Sequence, residues 1–136
     1  METGFIKIIY DEGNTPSIEA ELVNNTVWLT TVDLSHLLNC YIQEISVNLR
    51  SIFKKHLLWE EDVSCIYRYT DKGIEKQIVY YNLEVLIFLA YRIDTFEAQI
   101  FRQFINAALR EHLKKDKRQS TKLIWLYRPE RNCLWN

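Results

Sequence analysis

The sequence predicts a single α+β domain, and three patterns in it lead to that prediction. Short stretches of alternating apolar and polar residues near the start indicate an antiparallel strand meander. Residues 30–53 read as two short helices joined by a tight turn, and a strand-rich hairpin follows. Two longer helices then complete the pattern. This order is that of a winged helix-turn-helix-like domain with an N-terminal antiparallel strand meander and two packing C-terminal helices.

The N-terminal meander is predicted from three strand-like segments, residues 5–10, 18–23 and 27–29. In the second segment, apolar residues alternate with Glu19 and Glu21, which is typical of a half-buried strand. Asn24 and Asn25 predict a hairpin turn after it, because asparagine tolerates the positive φ angles that tight turns require.

The helix pair is predicted from its end signals. Thr30 is a good N-cap, and Asp33 three residues later closes a capping box. Asn39 favours a break after the first helix, since asparagine accepts the left-handed conformation at a helix end. The apolar positions of the second helix define its buried face: Ile42, Ile45, Leu49, Ile52 and Phe53.

The second half predicts a hairpin and two helices. Residues 65–70 and 76–81 are rich in β-forming residues on either side of Asp71-Lys72-Gly73, a strong hairpin signal. Asn82 is expected to cap a helix over 83–92, and Thr95 a longer helix through residue 113. The core stripe expected for that last helix comprises Phe101, Phe104, Ile105, Ala108, Leu109 and Leu113. Residues 1–113 form the predicted domain, and residues 114–136 a basic, Trp-containing C-terminal extension with a possible strand at 123–127.

Charge is distributed unevenly along the chain. The formal net charge is −1, but residues 1–62 sum to −6, residues 63–101 to −1 and residues 102–136 to +6. DNA-binding domains usually carry a clear basic excess, because they displace counterions from phosphates. The basic C-terminal part therefore suits an anionic partner, or equally a solvated face that stabilises a helix C-terminus through its dipole.

Cysteine and histidine usage excludes several function classes. The three cysteines are far apart and none has CxxC spacing, which favours reduced thiols in the cytoplasm. The histidines are equally scattered, so we expect no metal and no cofactor. Neither a phosphate-binding glycine loop nor a catalytic motif is present, so we do not expect an enzyme. The longest apolar run is too short to span a bilayer, so no membrane association is expected.

The predicted helix pair and hairpin give the candidate site, because the second helix of such a unit enters the major groove of duplex DNA. Its outward side chains are candidates for base or phosphate contact: Gln43, Val47, Arg50, Ser51, Lys54 and Lys55. On the hairpin, the candidates for phosphate contact are Arg68, Lys72 and Lys76. The alternative for both sets is structural: a packed helical hairpin, and an edge hairpin kept soluble by lysines.

Three segments resemble the RhuM family of bacterial virulence-associated proteins. They are Asn-Thr-Val-Trp-Leu-Thr at 25–30; Ile52-Phe53 with Leu58; and Val-Tyr-Tyr-Asn-Leu at 79–83 followed by Ala-Tyr-Arg-Ile at 90–93 and Phe101-Arg102. The resemblance covers residues 18–113. It implies a predicted DNA-binding module from mobile elements or pathogenicity islands, with no established catalytic reaction.

The chain also departs from the family pattern. Family members tend to have Arg, Ser and His on the second helix, where this chain has Ile42, Glu44, Val47 and Asn48. Before the last helix a Ser-Lys-Arg run is replaced by Thr95-Phe96-Glu97. These exchanges favour an alternative function, a protein-interaction or adaptor domain that kept the scaffold and lost DNA contact. Expected partners are thus double-stranded DNA, or a second copy or another protein bound through the aromatic C-terminal segment.

Overall fold

The computed structural model describes residues 2–115 and comprises, within them, two antiparallel strand pairs and five helices. The predicted strand at 123–127 and nearly all of the 114–136 extension lie outside the described residues. In chain order the elements are β1 (Phe5–Tyr10), β2 (Pro16–Glu21), α1 (Thr31–Leu38), α2 (Ile42–Lys54), α3 (Glu60–Val63), β3 (Ser64–Asp71), β4 (Ile74–Tyr81), α4 (Leu83–Ala90) and α5 (Phe96–Lys114).

The N-terminal strands form a two-stranded hairpin and not the three-stranded meander that the sequence predicts. β1 pairs antiparallel with β2, with Ile8 opposite Ile18. The predicted third strand at 27–29 is wrong. Asn24 and Asn25 do adopt the positive φ angles of a tight turn, but this turn is closed by a single bridge between Val23 and Thr26.

The chain then leaves the first hairpin and pairs with the second. Leu29 and Tyr81 exchange two backbone hydrogen bonds, of 2.8 and 2.7 Å. Trp28 donates its backbone N–H to the Thr3 carbonyl at 2.9 Å. Residues 27–29 thus link the two hairpins, and this is why they extend neither sheet.

The end signals predicted for the helices are confirmed. The Thr30 hydroxyl accepts a hydrogen bond from the Asp33 amide, and the Asp33 carboxylate accepts one from the Thr30 amide, so both halves of the capping box form. Asn39 ends α1 with φ of 50°. The Asn82 and Thr95 side chains cap α4 and α5 by accepting from Val85 and Ala98 amides.

The second hairpin is also confirmed, with longer strands than predicted. β3 and β4 pair from Ser64 opposite Tyr81 to Asp71 opposite Ile74. Lys72 and Gly73 form the two-residue turn, both with positive φ, which is the conformation that primed hairpin turns need. The acidic connection before β3 contains the one-turn helix α3.

The core lies where α1, α2, α4 and the start of α5 meet the base of the second hairpin. Its fully buried side chains are mostly branched aliphatics, each stabilising the fold by about 1.5–3 kcal/mol through burial. The largest of them are Leu34, Leu38, Ile45, Ile52, Leu86 and Leu89. This packing, and not intrinsic propensity, holds helices as short as eight residues.

The predicted core stripe of α5 is only partly confirmed. Phe101 is buried, as are Ala98 and Ile100 earlier in the helix. Phe104 and Leu109 are 47% and 56% exposed, so the expectation of a continuous buried stripe is wrong. α5 packs against α4, α1 and β2, and its residues from Asn106 onward are all exposed.

The expectation of three reduced thiols is also wrong. Cys65 is disulfide-bonded, and only Cys40 among the described cysteines is free. Cysteine oxidation state therefore does not support the expected cytoplasmic location. Within residues 2–115, no helix combines the length and the apolar character needed to cross a bilayer.

Thr26 connects the segment between the hairpins to α4. Its buried hydroxyl accepts a hydrogen bond of 3.0 Å from the amide of Leu83, the first residue of α4. We expect Thr26→Val to lower the free energy of unfolding by about 1–3 kcal/mol, because a buried amide loses its partner. Urea unfolding measures this. Thr70→Val, at an exposed site, is the control and should change stability little; equal effects of the two substitutions would contradict the role of Thr26.

Candidate nucleic-acid interface

The connection between α1 and α2 is short and held in place by α5. Residues 39–41 join the two helices. The Thr95 hydroxyl donates a 2.7 Å hydrogen bond to the Leu38 carbonyl, and the Asn39 amide group donates one of 3.2 Å to the Glu97 carboxylate. The angle between α1 and α2 is thus fixed from outside by the first turn of α5.

Helix α2 has one buried face and one exposed face. Ile45, Leu49 and Ile52 are at most 5% exposed and lie in the core. The opposite stripe, spaced four, three and four residues apart, consists of Gln43, Val47, Arg50 and Lys54, all exposed. These side chains were predicted to point outward, and they do. Ile42 was predicted in the buried face, but this is wrong, because at the first position of α2 it is 43% exposed.

Five of the six α2 candidates share one surface feature. A shallow, open groove on this face is lined by Val47, Arg50, Ser51, Lys54 and Lys55. Gln43 lies one turn earlier, at the N-terminal end of the same face. We call these six side chains, Gln43 included, the α2 face. The hydrophobic contribution to it is a single exposed Val47, and the remainder is polar or cationic.

A further cation reaches the α2 face from another part of the chain. Arg92, in the connection between α4 and α5, donates from Nε to Asn48 Oδ1 at 3.0 Å and from Nη2 to Ser51 Oγ at 2.8 Å. Asn48 is itself oriented by a 2.8 Å hydrogen bond from its Nδ2 to the Glu44 carbonyl. The sequence analysis did not predict this residue as part of the site.

The connection that carries Arg92 is itself well fixed. The Arg102 guanidinium donates from Nη1 to the carbonyls of Ala90 and Ile93, at 2.6 and 3.1 Å, on either side of Arg92. Ile93 is buried in the core, and Thr95 begins α5 two residues later. Arg92 thus projects from a short segment whose backbone is held at both ends.

The cations of the α2 face have no acidic partners. Among the described residues, no carboxylate lies within 4.0 Å of Arg50, Lys54, Lys55 or Arg92; the ion pairs there are Lys76 with Asp71 and Lys114 with Glu111. Lys54, in the last turn, also interacts favourably with the helix dipole. The C-terminal half of the α2 face is therefore a local concentration of uncompensated positive charge.

The hairpin cations are more dispersed. Side chains of paired residues share a face of a hairpin, and faces alternate along each strand. Arg68 pairs with Gln77, whereas Lys76 pairs with Tyr69, so Arg68 and Lys76 lie on opposite faces. Lys72 is at the tip, and Lys76 forms a 3.0 Å ion pair with Asp71. The three residues do not form one cationic surface.

The base of the hairpin contacts α2 directly. The Tyr81 ring stacks on the ring of Phe53, near the end of α2, with centroids 6.3 Å apart. Burial, and then the nearby Glu60 carboxylate, raise the pKa of Tyr81 above its usual value. This contact sets the second hairpin beside the C-terminal, cationic end of α2.

The described residues contain one free thiol and no grouped metal ligands. Within 2–115, no three His, Cys, Asp or Glu side chains are grouped so as to hold a metal ion. Cys40 lies between α1 and α2, but burial and then the Glu44 carboxylate raise the pKa of its thiol. This shift favours the protonated form of the Cys40 thiol, which is a poor nucleophile.

Comparisons with known proteins add no assignment. No family model, no curated protein and no solved structure matches this chain significantly. The resemblance to the RhuM family therefore stays a prediction, and the function has to be argued from the geometry above.

Substitutions on the two faces of α2 should affect stability differently. Leu49→Ala should lower the free energy of unfolding by about 2–5 kcal/mol, because it leaves a cavity in the core. Val47→Ala, two residues away but exposed, should change it by no more than about 0.5 kcal/mol. Urea unfolding of both variants checks this. A large loss for Val47→Ala would mean that the α2 face is covered in solution.

Proposed function

We propose that this chain is a DNA-binding or transcription-regulatory module in which α2 is the recognition helix. The observation that carries the proposal is the α2 face, an exposed stripe of polar and cationic side chains on a short helix whose other face lies in the core. In helix-turn-helix proteins, the second helix uses such a face to enter the major groove. Here α1 precedes α2 across a three-residue turn, and in the proposed arrangement the β3–β4 hairpin would serve as the wing.

The roles on α2 follow from the chemistry of its side chains. Gln43 is suited to adenine, whose N6 and N7 atoms it can pair with, and Val47 to the methyl group of thymine. The Ser51 hydroxyl accepts from Arg92, which leaves its own O–H to donate to a base or phosphate oxygen. Arg50, Lys54 and Lys55 are suited to phosphates on either side of the groove.

The hairpin would add phosphate contacts of unequal quality. Lys72 is at the tip and Arg68 on an exposed strand position, and neither has a carboxylate within 4.0 Å among the described residues. Lys76 is already paired with Asp71, so its contribution to DNA binding would be smaller. As a wing, the hairpin would thus act through Lys72 and Arg68.

The RhuM resemblance adds the biological setting of the proposal. By that likeness the module would be bacterial, encoded on a mobile element or pathogenicity island, and act on chromosomal or element DNA in the cytoplasm. It would act without catalysis, as a regulator that occupies a site on DNA.

A titration of fluorescent duplex DNA tests the proposal. We expect the full chain to bind with micromolar affinity at low salt, and log K to fall linearly with log salt concentration. The double variant Lys54→Gln/Lys55→Gln should bind more weakly. Its slope of log K against log salt should be less steep by about 1.8, because each phosphate contact contributes about 0.9. Fluorescence anisotropy at several salt concentrations measures both quantities.

A second pair of adjacent lysines provides a matched control. Lys114 and Lys115 are exposed at the far end of α5, and Lys114→Gln/Lys115→Gln removes the same charge from a different surface. This variant should keep the wild-type slope. If the α5 pair changes the slope and the α2 pair does not, α2 is not the recognition helix; if the wild-type chain binds no duplex at low salt, the proposal is wrong.

The exposed apolar side chains of α5 favour a second candidate function, a protein-interaction or adaptor domain. Phe104, Leu109 and Leu113 are each 45–56% exposed on the half of α5 that leaves the core. The described residues also hold 16 acidic against 12 basic side chains, a balance that disfavours DNA. The aromatic segment first expected to bind partners, residues 120–136, lies outside the described residues.

Recovery of partners from the native host tests this candidate. If the chain is an adaptor, Phe104→Ser/Leu109→Ser should lose partners that the wild-type chain retains, because a partner would cover one or both of these exposed apolar side chains. Deletion of residues 120–136 separately tests the aromatic segment. An unchanged set of partners in both variants would exclude the adaptor function for these surfaces.

A further inference from the structure

We infer that Arg92 is a phosphate-anchoring residue, held on the α2 face in advance of binding. The inference rests on the proposed function and adds to it a binding residue from outside the helix pair. Arg92 lies 37 residues beyond Lys55, in the connection between α4 and α5. Only the folded chain brings its guanidinium to Asn48 and Ser51, beside the α2 face.

The Arg92 guanidinium still has hydrogen-bond donors to offer a ligand. An arginine side chain has five N–H donors in a planar fork. Two of them are used, by Asn48 from Nε and by Ser51 from Nη2. Three remain, both on Nη1 and one on Nη2, and a phosphate accepts such paired donors well. The two neutral acceptors fix the fork without neutralising its charge.

The Arg92 side chain is also preorganised for binding. A free arginine side chain loses about 2 kcal/mol of rotamer entropy when it is fixed on binding. Here Asn48 and Ser51 fix the guanidinium, and Arg102 fixes the backbone on both sides of it. Most of that entropy is therefore lost on folding and not on binding, so a contact made by Arg92 should be stronger than one made by Lys54 or Lys55.

Among the described residues, the Arg92 guanidinium has no carboxylate close to it. If Arg92 only connected α2 to the α4–α5 segment, an acidic partner would serve that purpose better. Asp94, two residues away, is exposed, and no carboxylate in the described residues lies within 4.0 Å of the Arg92 guanidinium. Arg92 thus adds a full positive charge to a face that already has Arg50, Lys54 and Lys55.

The experiment separates the charge of Arg92 from its position. Arg92→Gln removes the charge, whereas Asn48→Ala keeps the charge and removes one of the acceptors that orient it. Lys7→Gln, in β1 on the first hairpin, is the control for loss of one positive charge from another surface. Each full-length variant is titrated with the same fluorescent duplex over a range of salt concentrations, after thermal unfolding has shown that it is folded.

We expect Arg92→Gln to bind about tenfold more weakly and to lower the slope of log K against log salt by about 0.9, one phosphate contact. Asn48→Ala should keep the wild-type slope and bind a few-fold more weakly, because the charge is present but no longer held. Lys7→Gln should match the wild type in both quantities.

Two results would overturn the inference, and they differ from failure of the proposed function. If the wild type binds duplex DNA and Arg92→Gln has the same slope, Arg92 makes no phosphate contact. If Arg92→Gln and Lys7→Gln weaken binding equally, the effect is one of net charge alone. If the wild type itself binds no duplex, the proposed function fails, and the role of Arg92 with it.

Discussion

The structure depends on one constraint, the burial of a single face of α2. Ile45, Leu49 and Ile52 are locked into the core, so α2 cannot rotate about its axis without exposing them. Burying these three side chains stabilises the fold by about 1.5–3 kcal/mol each, which is a large part of the total stability of a small domain. Every property of the α2 face follows from this: the spacing of its exposed side chains, the groove between them, and the direction in which its cations point.

Local signals made much of the fold predictable. The helix caps and the hairpin turn act over four residues or fewer, and the structure confirms each of them: Thr30 with Asp33, Asn39, Asn82, Thr95 and Lys72-Gly73. The failures involve longer range. Residues 27–29 have the composition of a strand, but Leu29 finds its partner in Tyr81, 52 residues later. Likewise the periodicity of α5 indicates an apolar face, yet periodicity does not say which part of that face another element covers.

The candidate site shows the same division. Most of the outward α2 residues followed from the 3.6-residue period of a helix, but Ile42 fits the apolar period and is nevertheless exposed, since the core begins only at Ile45. Arg92 was missed, because its hydrogen bonds to Asn48 and Ser51 bridge 44 and 41 residues and no local pattern encodes them. The separation of the hairpin cations onto two faces could not be predicted for a related reason. Composition counts Arg68 and Lys76 together, whereas the strand register places them on opposite faces.

Overall charge is also a poor guide here: at physiological salt, charges interact over about 8 Å, so a local cation cluster can attract a phosphate although the described residues are acidic in sum.

The most direct test is to map the surface of the chain that a DNA duplex contacts. Amide chemical shifts of the ¹⁵N-labelled full-length chain, recorded during titration with a duplex at low salt, report each residue separately. We expect the largest shift changes within residues 43–55 and at Arg92, with smaller ones at the tip of the β3–β4 hairpin. Changes confined to residues 103–115, or spread evenly over the chain, would contradict it, since they would place the contact on α5 or show that no defined surface is used.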